Sequence, residues 1–458
     1  MTPDERTTTV IPTRAMLLTR IIIAVTACLQ AAPALATGPA PHFGQPLTLV
    51  RLTDLALSNN PSTQIAWAEI RGSEAGVELA RAGYWPQLTL AYGVRRAHSA
   101  TSTGIAGPYA TDYGPSLSLS WLLWDFGTRS GSVDAAKFSL TAAQLSANQT
   151  MQDLILTVEQ DYYQALGLQS LVEADSESVQ DAAASLDAAQ KRKDSGLATI
   201  GDVYQAEAAL AGAKLNLQTA QGQSAVARGQ LAVAVGYDAD TDLPLATLEK
   251  QVVAAMPVAS VHELLDKAGQ ARPELLASKA LEQSAVAGLE AAQGQGLPSL
   301  TMSGSAGRDT TEIGGQKNTA NTYDAGLTLS FPLFTGFANQ AANRKAQASV
   351  DVAQASTQQL VQQVQLEVWQ AYQNMHTAVI SLDTAETQLK SAQQAADVAN
   401  ARYKTGLDSI LDVLSAQTTL ASARVQEIQA RLNWFAAQAA MGHAVGGLGA
   451  PQETMESP

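Results

Sequence analysis

YKTGLDSILDVLSAQTTL, residues 403–420, decides the fold, because KDSGLATIGDVYQAEAAL, residues 193–210, carries the same frame. Gly406 stands over Gly196, Asp412 over Asp202, Val413 over Val203, Ala416 over Ala206 and Leu420 over Leu210, always 210 positions apart. Val158 and Val368, Tyr162 and Tyr372, and the octapeptides LSLSWLLW (117–124) and LTLSFPLF (327–334) keep that spacing. Upstream, Pro61 pairs with Pro273 and Pro86 with Pro298 at 212, so an intervening loop absorbs two residues. Two halves result, 48–240 and 260–447, with a linker at 241–259 and a tail at 448–458 that reads as disordered. Neither half shows a separate globular pattern, so this is a duplication within one fold.

Each half has one order of elements. A helical stretch (about 50–83 and 260–293) passes a Pro into an alternating strand, a loop rich in small residues, a second alternating strand and a very long helical segment. In the second strand Leu117, Leu119 and Trp121 alternate with Ser116, Ser118 and Ser120, and Leu327, Leu329 and Phe331 alternate with Thr328 and Ser330. Strands apolar on one face and small and polar on the other, with aromatic ends, suit a membrane barrel around a wet lumen. Half-buried strands of a soluble sandwich would show the same alternation. On the barrel reading, 96–113 and 308–321 are exterior loops, and Trp121, Trp124, Phe331 and Phe334 form an interfacial belt.

Residues 336–404 hold no Pro and no internal Gly, which predicts a helix of about 100 Å. Leu382, Ala385, Leu389, Ala392, Ala396, Ala399 and Tyr403 recur three and four apart, a heptad seam. Beyond Gly406 the rhythm resumes through Leu414, Thr418, Ala421, Val425, Ile428, Leu432, Phe435 and Ala439. This predicts an antiparallel coiled-coil hairpin with Gly406 at its tip and a twin tipped by Gly196.

Composition narrows the class. Charged residues make up 15% of the 458, against about 25% in ordinary globular chains. The net charge of −14 is spread along the chain without a Lys/Arg cluster, which excludes a nucleic-acid partner. Arg14 and Arg20 precede the apolar stretch 21–36, which ends in Ala34-Leu35-Ala36, so 1–36 reads as a signal peptide. Its removal takes three positive charges and two negative ones, moving the net charge from −14 to −15. The sole cysteine, Cys28, lies inside that segment; Val25 to Cys28 reads alternatively as a lipobox with Cys28 acylated. No other segment approaches a membrane-spanning helix, so any crossing is made by strands.

Four strands cannot close a membrane barrel, because lipid-exposed edges leave backbone groups unpaired and the smallest barrels need about eight strands. Several copies must contribute, each with two hairpins, and the product is a tube. The internal duplication, the junctions WLLWDFG and FPLFTGF and both tip signatures make the chain resemble the TolC-like outer membrane efflux protein family over essentially its whole mature length. The resemblance implies a mixed α and β membrane protein: a homotrimer with one twelve-stranded barrel in the outer-membrane lipid, continued by a twelve-helix periplasmic tunnel of coiled-coil hairpins. It also implies a periplasmic adaptor (membrane fusion protein), an inner-membrane transporter, and passive export in tripartite efflux or type I secretion. No cofactor, resident metal or catalysis is expected. A periplasmic adaptor would need lipoyl-like domains between the hairpin legs, and a diffusion porin many more strands and no long helices.

Asp408 and Asp412 stand four apart, on one helix face. One reading makes Asp408 the N-cap and has Asp412 favoured by the helix dipole; Asp412 is expected beyond the first turn, where that effect fades, and the resemblance puts a tunnel-narrowing acidic ring there. It also matches Tyr403 with Asp202 as a link holding the entrance shut. Ser415 stands where relatives carry a second Asp, which leaves a second ring open, and Asp408 stands where they carry a basic residue, so a second link is not expected. Three copies of Asp412 would attract cations. DFG at 125–127 lacks other kinase elements, HELLD at 262–266 lacks a second zinc-binding His, and the five histidines are scattered.

Overall fold

The computed structural model describes residues 46–100, 106–246 and 260–447; the signal segment with Cys28, most of the linker and the tail lie outside them. The first half runs α1 (Leu49–Asn59), α2 (Pro61–Ala82), β1 (Gln87–Ala100), β2 (Ala106–Trp124), α3 (Thr128–Asp194) and α4 (Ile200–Val235). The second repeats it as α5 (Val261–Ala271), α6 (Pro273–Gly294), β3 (Ser299–Ile313), β4 (Gln316–Ser330), α7 (Ala338–Thr405) and α8 (Ile410–Ala444).

The opening helical stretch of each half is two helices rather than one. Pro61 and Pro273 each occupy the first turn of a new helix, where the missing N–H costs nothing. Asn60 caps α2 by accepting from the Ser62 N–H at 2.9 Å, and its amide donates to the Ala234 carbonyl at 2.8 Å, tying the end of α4 to the start of α2. Gly236 makes that junction with φ 92°; a Cβ there would lie 2.8 Å from the Asn59 carbonyl carbon. α8 meets the start of α6 the same way, at Gly446 against Ala271 and Arg272.

α3 and α7, of 67 and 68 residues, are the unbroken rods, each about 100 Å long. α3 packs against α2 and α4 on one side and α6 and α8 on the other, and α7 packs against α6 and α8. A chain thus supplies a wall four helices wide. Val158 and Val368, equivalent in the repeat, are both fully buried in it. Tyr163 stacks on Phe435 at 4.2 Å, and Leu432 presses on Gly167, where a Cβ would overlap its side chain. At the α5–α6 break, buried Arg272 pairs with Glu274 and, at 2.6 Å, with Glu367. Burial would raise the Glu367 carboxyl, but hydrogen bonds from Gln363 and Arg272 hold it below the usual 4.5.

The predicted seam holds on α7 and fails on α8. Val413, Leu420, Ala423, Glu427, Ala430, Trp434, Ala437 and Met441 form a buried stripe there one or two residues out of step with the expected set, of which Leu432, Phe435 and Ala439 are also buried. Helices in a wall have two packed sides, and the larger residues belong to the second: Leu432 and Phe435 meet α3 at Gly167 and Tyr163.

The sheet order is β1–β2–β3–β4, antiparallel throughout. The stretches expected to be exterior loops are largely strand: β3 and β4 join through Gly314-Gly315 with φ 56° and 84°, the two positive values a tight hairpin turn requires. β2 runs through Trp124, but β4 stops at Ser330 before Pro332, which has no N–H for a ladder, so 331–334 is not strand. The pleat separates two faces. Leu88, Leu90, Tyr92 and Val94 share one with Leu117, Leu119, Trp121, Tyr323, Leu327 and Leu329; Thr89, Ser116, Ser118, Ser120, Ser303, Ser305 and Thr328 share the other. Among the described residues β1 and β4 are unpaired along their outer edges.

Candidate functional site at the hairpin tips

Both tips close alike. α3 and α7 end at Gly196 (φ 75°) and Gly406 (φ 82°), and the N–H groups of Leu197 and Leu407 return to the carbonyls of Arg192 and Arg402 at 2.8 and 2.9 Å. Left-handed φ is why each turn carries Gly. The next helix then opens on a capping box. Thr199 caps α4 with Asp202, and Ser409 caps α8 with Asp412.

This corrects the expectation for the acidic pair. The N-cap is Ser409, not Asp408, and Asp412 sits in the first turn, where its Oδ2 accepts from the Ser409 N–H at 3.0 Å and the hydroxyl at 2.6 Å. Those bonds, aided by Arg402, hold the Asp412 carboxyl below its usual 3.8. Its other oxygen has no protein partner among the described residues. Asp408 adds no free charge, because Arg402 grips it through Nε and Nη2, both at 3.0 Å.

Tyr403 is 6% exposed, packed on Ala189, Val203, Ala206, Ile410 and Val413 from both hairpins. Burial pushes its phenol above the usual value, Arg192 opposes that and Asp202 adds to it. The phenol oxygen is buried without a hydrogen-bond partner, and the Asp202 carboxylate accepts instead from the Thr199 N–H at 2.7 Å, within its own capping box. The Asp202–Tyr403 pair is therefore adjacent but unbonded.

At the level of the turns, the polar side chain that crosses between hairpins is Arg192, which sequence reasoning passed over. Its Nη1 donates to the Tyr403 carbonyl at 2.5 Å and its guanidinium lies 4.5 Å above the Tyr403 ring. Arg192 and Arg402 occupy the same repeat position, and the residue matching Asp408 is Ala198. Lacking a carboxylate on its own turn, Arg192 reaches across. Below the tips, Gln417 donates to Ser185 at 2.9 Å, and Arg424 meets Glu177 at 3.2 Å and Asp181 at 3.7 Å. Leu197, Ile200, Tyr204, Leu407 and Leu411 are exposed around both turns.

At the opposite end, Trp121, Trp124, Phe331 and Phe334 are all exposed where the sheet meets the helices, with Trp121 Nε1 donating to the Tyr84 carbonyl at 2.9 Å. Asp125 accepts from the Arg129 N–H at 2.8 Å, and Thr335, its repeat counterpart, from the Asn339 N–H at 3.4 Å. The DFG segment is thus a strand-to-helix junction. His443 pairs with Asp153 at 2.7 Å, and among the described residues no His/Cys/Asp/Glu group has the makings of a metal site.

Residues 52–237 and 264–447 match the family profile described as outer membrane efflux protein. The chain belongs to that family. It is similar to protein CyaE of Bordetella pertussis, 30% identical over 405 residues, 87% of this chain and 84% of that one. It is also similar to the pyoverdine export outer membrane protein OpmQ of Pseudomonas aeruginosa, 25% identical over 429 residues, 88% of this chain and 86% of that one. The solved outer-membrane channel OprN shares the fold with a TM-score of 0.77 at 23% identity, over 91% of this chain and 96% of that one. As an outer membrane efflux protein, the chain resides in the outer membrane, extends into the periplasm and serves as an exit channel. The helices and their tips are its periplasmic part.

Proposed function

We propose that three copies build one passive duct, their sheets closing a twelve-stranded barrel and their four-helix walls a continuous tunnel that narrows at the six hairpin tips. The observation that carries this is the sheet: two unpaired edges beside an exposed apolar face have no stable place in lipid until β4 of one copy pairs with β1 of the next. Closure puts the Ser/Thr face on the lumen.

At the tips, Arg192 holds the two hairpins of a chain together in the closed entrance, and the three Asp412 carboxylates give that entrance its charge. Asp202 is the reserve partner of the orphaned Tyr403 hydroxyl. A periplasmic adaptor covers the exposed leucines, and energy comes from an inner-membrane transporter. The duct itself performs no chemistry. The cargo is set by the pump.

Cysteines scanned along β1 (Leu88, Leu90) against β4 (Leu327, Leu329) test the assembly. Oxidation is expected to give covalent trimers that survive denaturing gels. Crosslinks that stop at dimers at every register would refute three-fold closure.

A further inference from the structure

Continuing the pleat toward the external end, the outward face that begins with Leu88, Leu90, Tyr92 and Val94 reaches Arg96 and His98 on β1. On β3, the residue after lumenal Gly307 is Arg308, and on β4 the outward series ends at Lys317. Their neighbours on this face are Tyr109, Tyr113 and Tyr323.

The height fits a headgroup layer. From Trp121 to Tyr113 the outward face of β2 spans about 27 Å along the strand, and a tilt of about 40° brings this to roughly 20 Å, close to the apolar band of a membrane barrel. Arg96, paired with Thr111, stands just above that span, and Arg308, beside Pro115, just inside its upper end.

Two features mark these guanidiniums as unsatisfied. Neither Arg96 nor Arg308 has an ion pair among the described residues, whereas Lys317 already meets Glu312 at 3.5 Å. Arg96 is pre-set: its guanidinium lies 4.8 Å above the Tyr109 ring, on which His98 also stacks at 4.6 Å. The face carries Arg96, Arg308 and Lys317 against Glu312, net +2 per chain; the lumenal face at this level carries Arg95 against Asp112 and Asp309, net −1, with Asp324 further down the strand. A chain of −14 thus reverses sign where it meets the outer leaflet.

The geometry points to a binding belt for phosphate-bearing lipid of the outer leaflet, with Arg96 and Arg308 as its phosphate ligands and Tyr109 as the platform that aligns Arg96. Guanidinium matches phosphate in charge and in paired hydrogen-bond donors. The outward tyrosines supply the amphipathic ring level beside it. This inference rests on the barrel reading, because only closure turns this face to lipid.

The test is native mass spectrometry of the detergent-solubilised full chain offered equal amounts of bis-phosphorylated lipid A and its dephosphorylated form, with conductance of the same preparations recorded in planar bilayers. Wild type is expected to prefer the phosphorylated lipid, by roughly fivefold for each guanidinium. Arg96→Gln with Arg308→Gln should erase the preference while conductance is kept. Arg95→Gln, one residue away on the lumenal face, should retain it. Absence of preference in conducting wild type, equal loss in Arg95→Gln, or displacement of the lipid by excess inorganic phosphate would each overturn the belt and leave the barrel standing. A preparation without trimers or conductance would remove the barrel reading and the belt with it.

Discussion

The tips at Gly196 and Gly406 are copies in backbone and opposites in wiring. Both use a left-handed Gly, a returning Leu N–H and a Thr/Ser–Asp capping box 210 residues apart. Two differences set the wiring: Asp408 gives Arg402 a partner on its own turn where Ala198 gives Arg192 none, and Tyr403, which Arg192 crosses to meet, has Lys193 as its counterpart. One tip is closed on itself and the other is committed to its neighbour. These two differences thus decide whether the same arginine stabilises a turn or couples two hairpins, and duplicated backbones can diverge in function without diverging in fold.

The two tips should part most widely at their shared acidic position. Asp412→Asn is expected to abolish cation selectivity and block by divalent cations in bilayer recordings, and Asp202→Asn to leave both largely intact. Because Ser409 holds the Asp412 carboxyl below its usual 3.8, wild-type selectivity should persist as pH falls to about 4.5 and disappear only below that usual value. Selectivity already lost near pH 5 would contradict the assignment.

Ala198→Asp sharpens the contrast by giving the first tip the carboxylate it lacks. Arg192 should turn to its own hairpin, raising the frequency of channel openings several-fold, in line with the roughly 1 kcal/mol net worth of such a hydrogen bond. Openings as rare as in wild type would show that the cross-contact does not hold the closed state.

Effects on stability are smaller. Glu367→Gln weakens the partner of buried Arg272 and should cost about 1–2 kcal/mol near neutral pH, since Glu274 remains. A carboxyl held low in the fold stabilises above its unfolded value and loses that contribution as pH falls below 4.5. Thermal melts of wild type and Glu367→Gln should therefore converge on acidification, and parallel curves would exclude this linkage. Thr199→Ala and Ser409→Ala should each cost about 1 kcal/mol, equally at the two tips. A clear inequality would mean the boxes are not equivalent.

Much of this was legible in sequence. The repeat register located both tips, both rods and the aromatic ends, because Gly, Pro and aromatic punctuation survives duplication. The α8 seam differs from the pattern because Leu432 and Phe435 mark the side facing α3, while the hairpin seam proper mixes Ala423, Ala430 and Ala437 with larger residues and a buried Glu427 that pairs with Arg431. Ser409 was passed over as the cap in favour of Asp408, since either residue type serves and only the backbone chooses. Arg192 was invisible for another reason: its partner is a backbone carbonyl 211 residues away, which no local pattern encodes. Its match with Arg402 and the mismatch of Ala198 with Asp408 were nonetheless in plain view.

The most direct test is single-channel conductance of Arg192→Gln beside Arg402→Gln in planar bilayers. The cross-hairpin arginine is expected to matter alone: Arg192→Gln should raise open probability roughly tenfold, from the loss of a charged hydrogen bond and a cation–π contact, while Arg402→Gln stays near wild type. Equal opening in both, or opening only in Arg402→Gln, would contradict the claim that the two tips are wired differently.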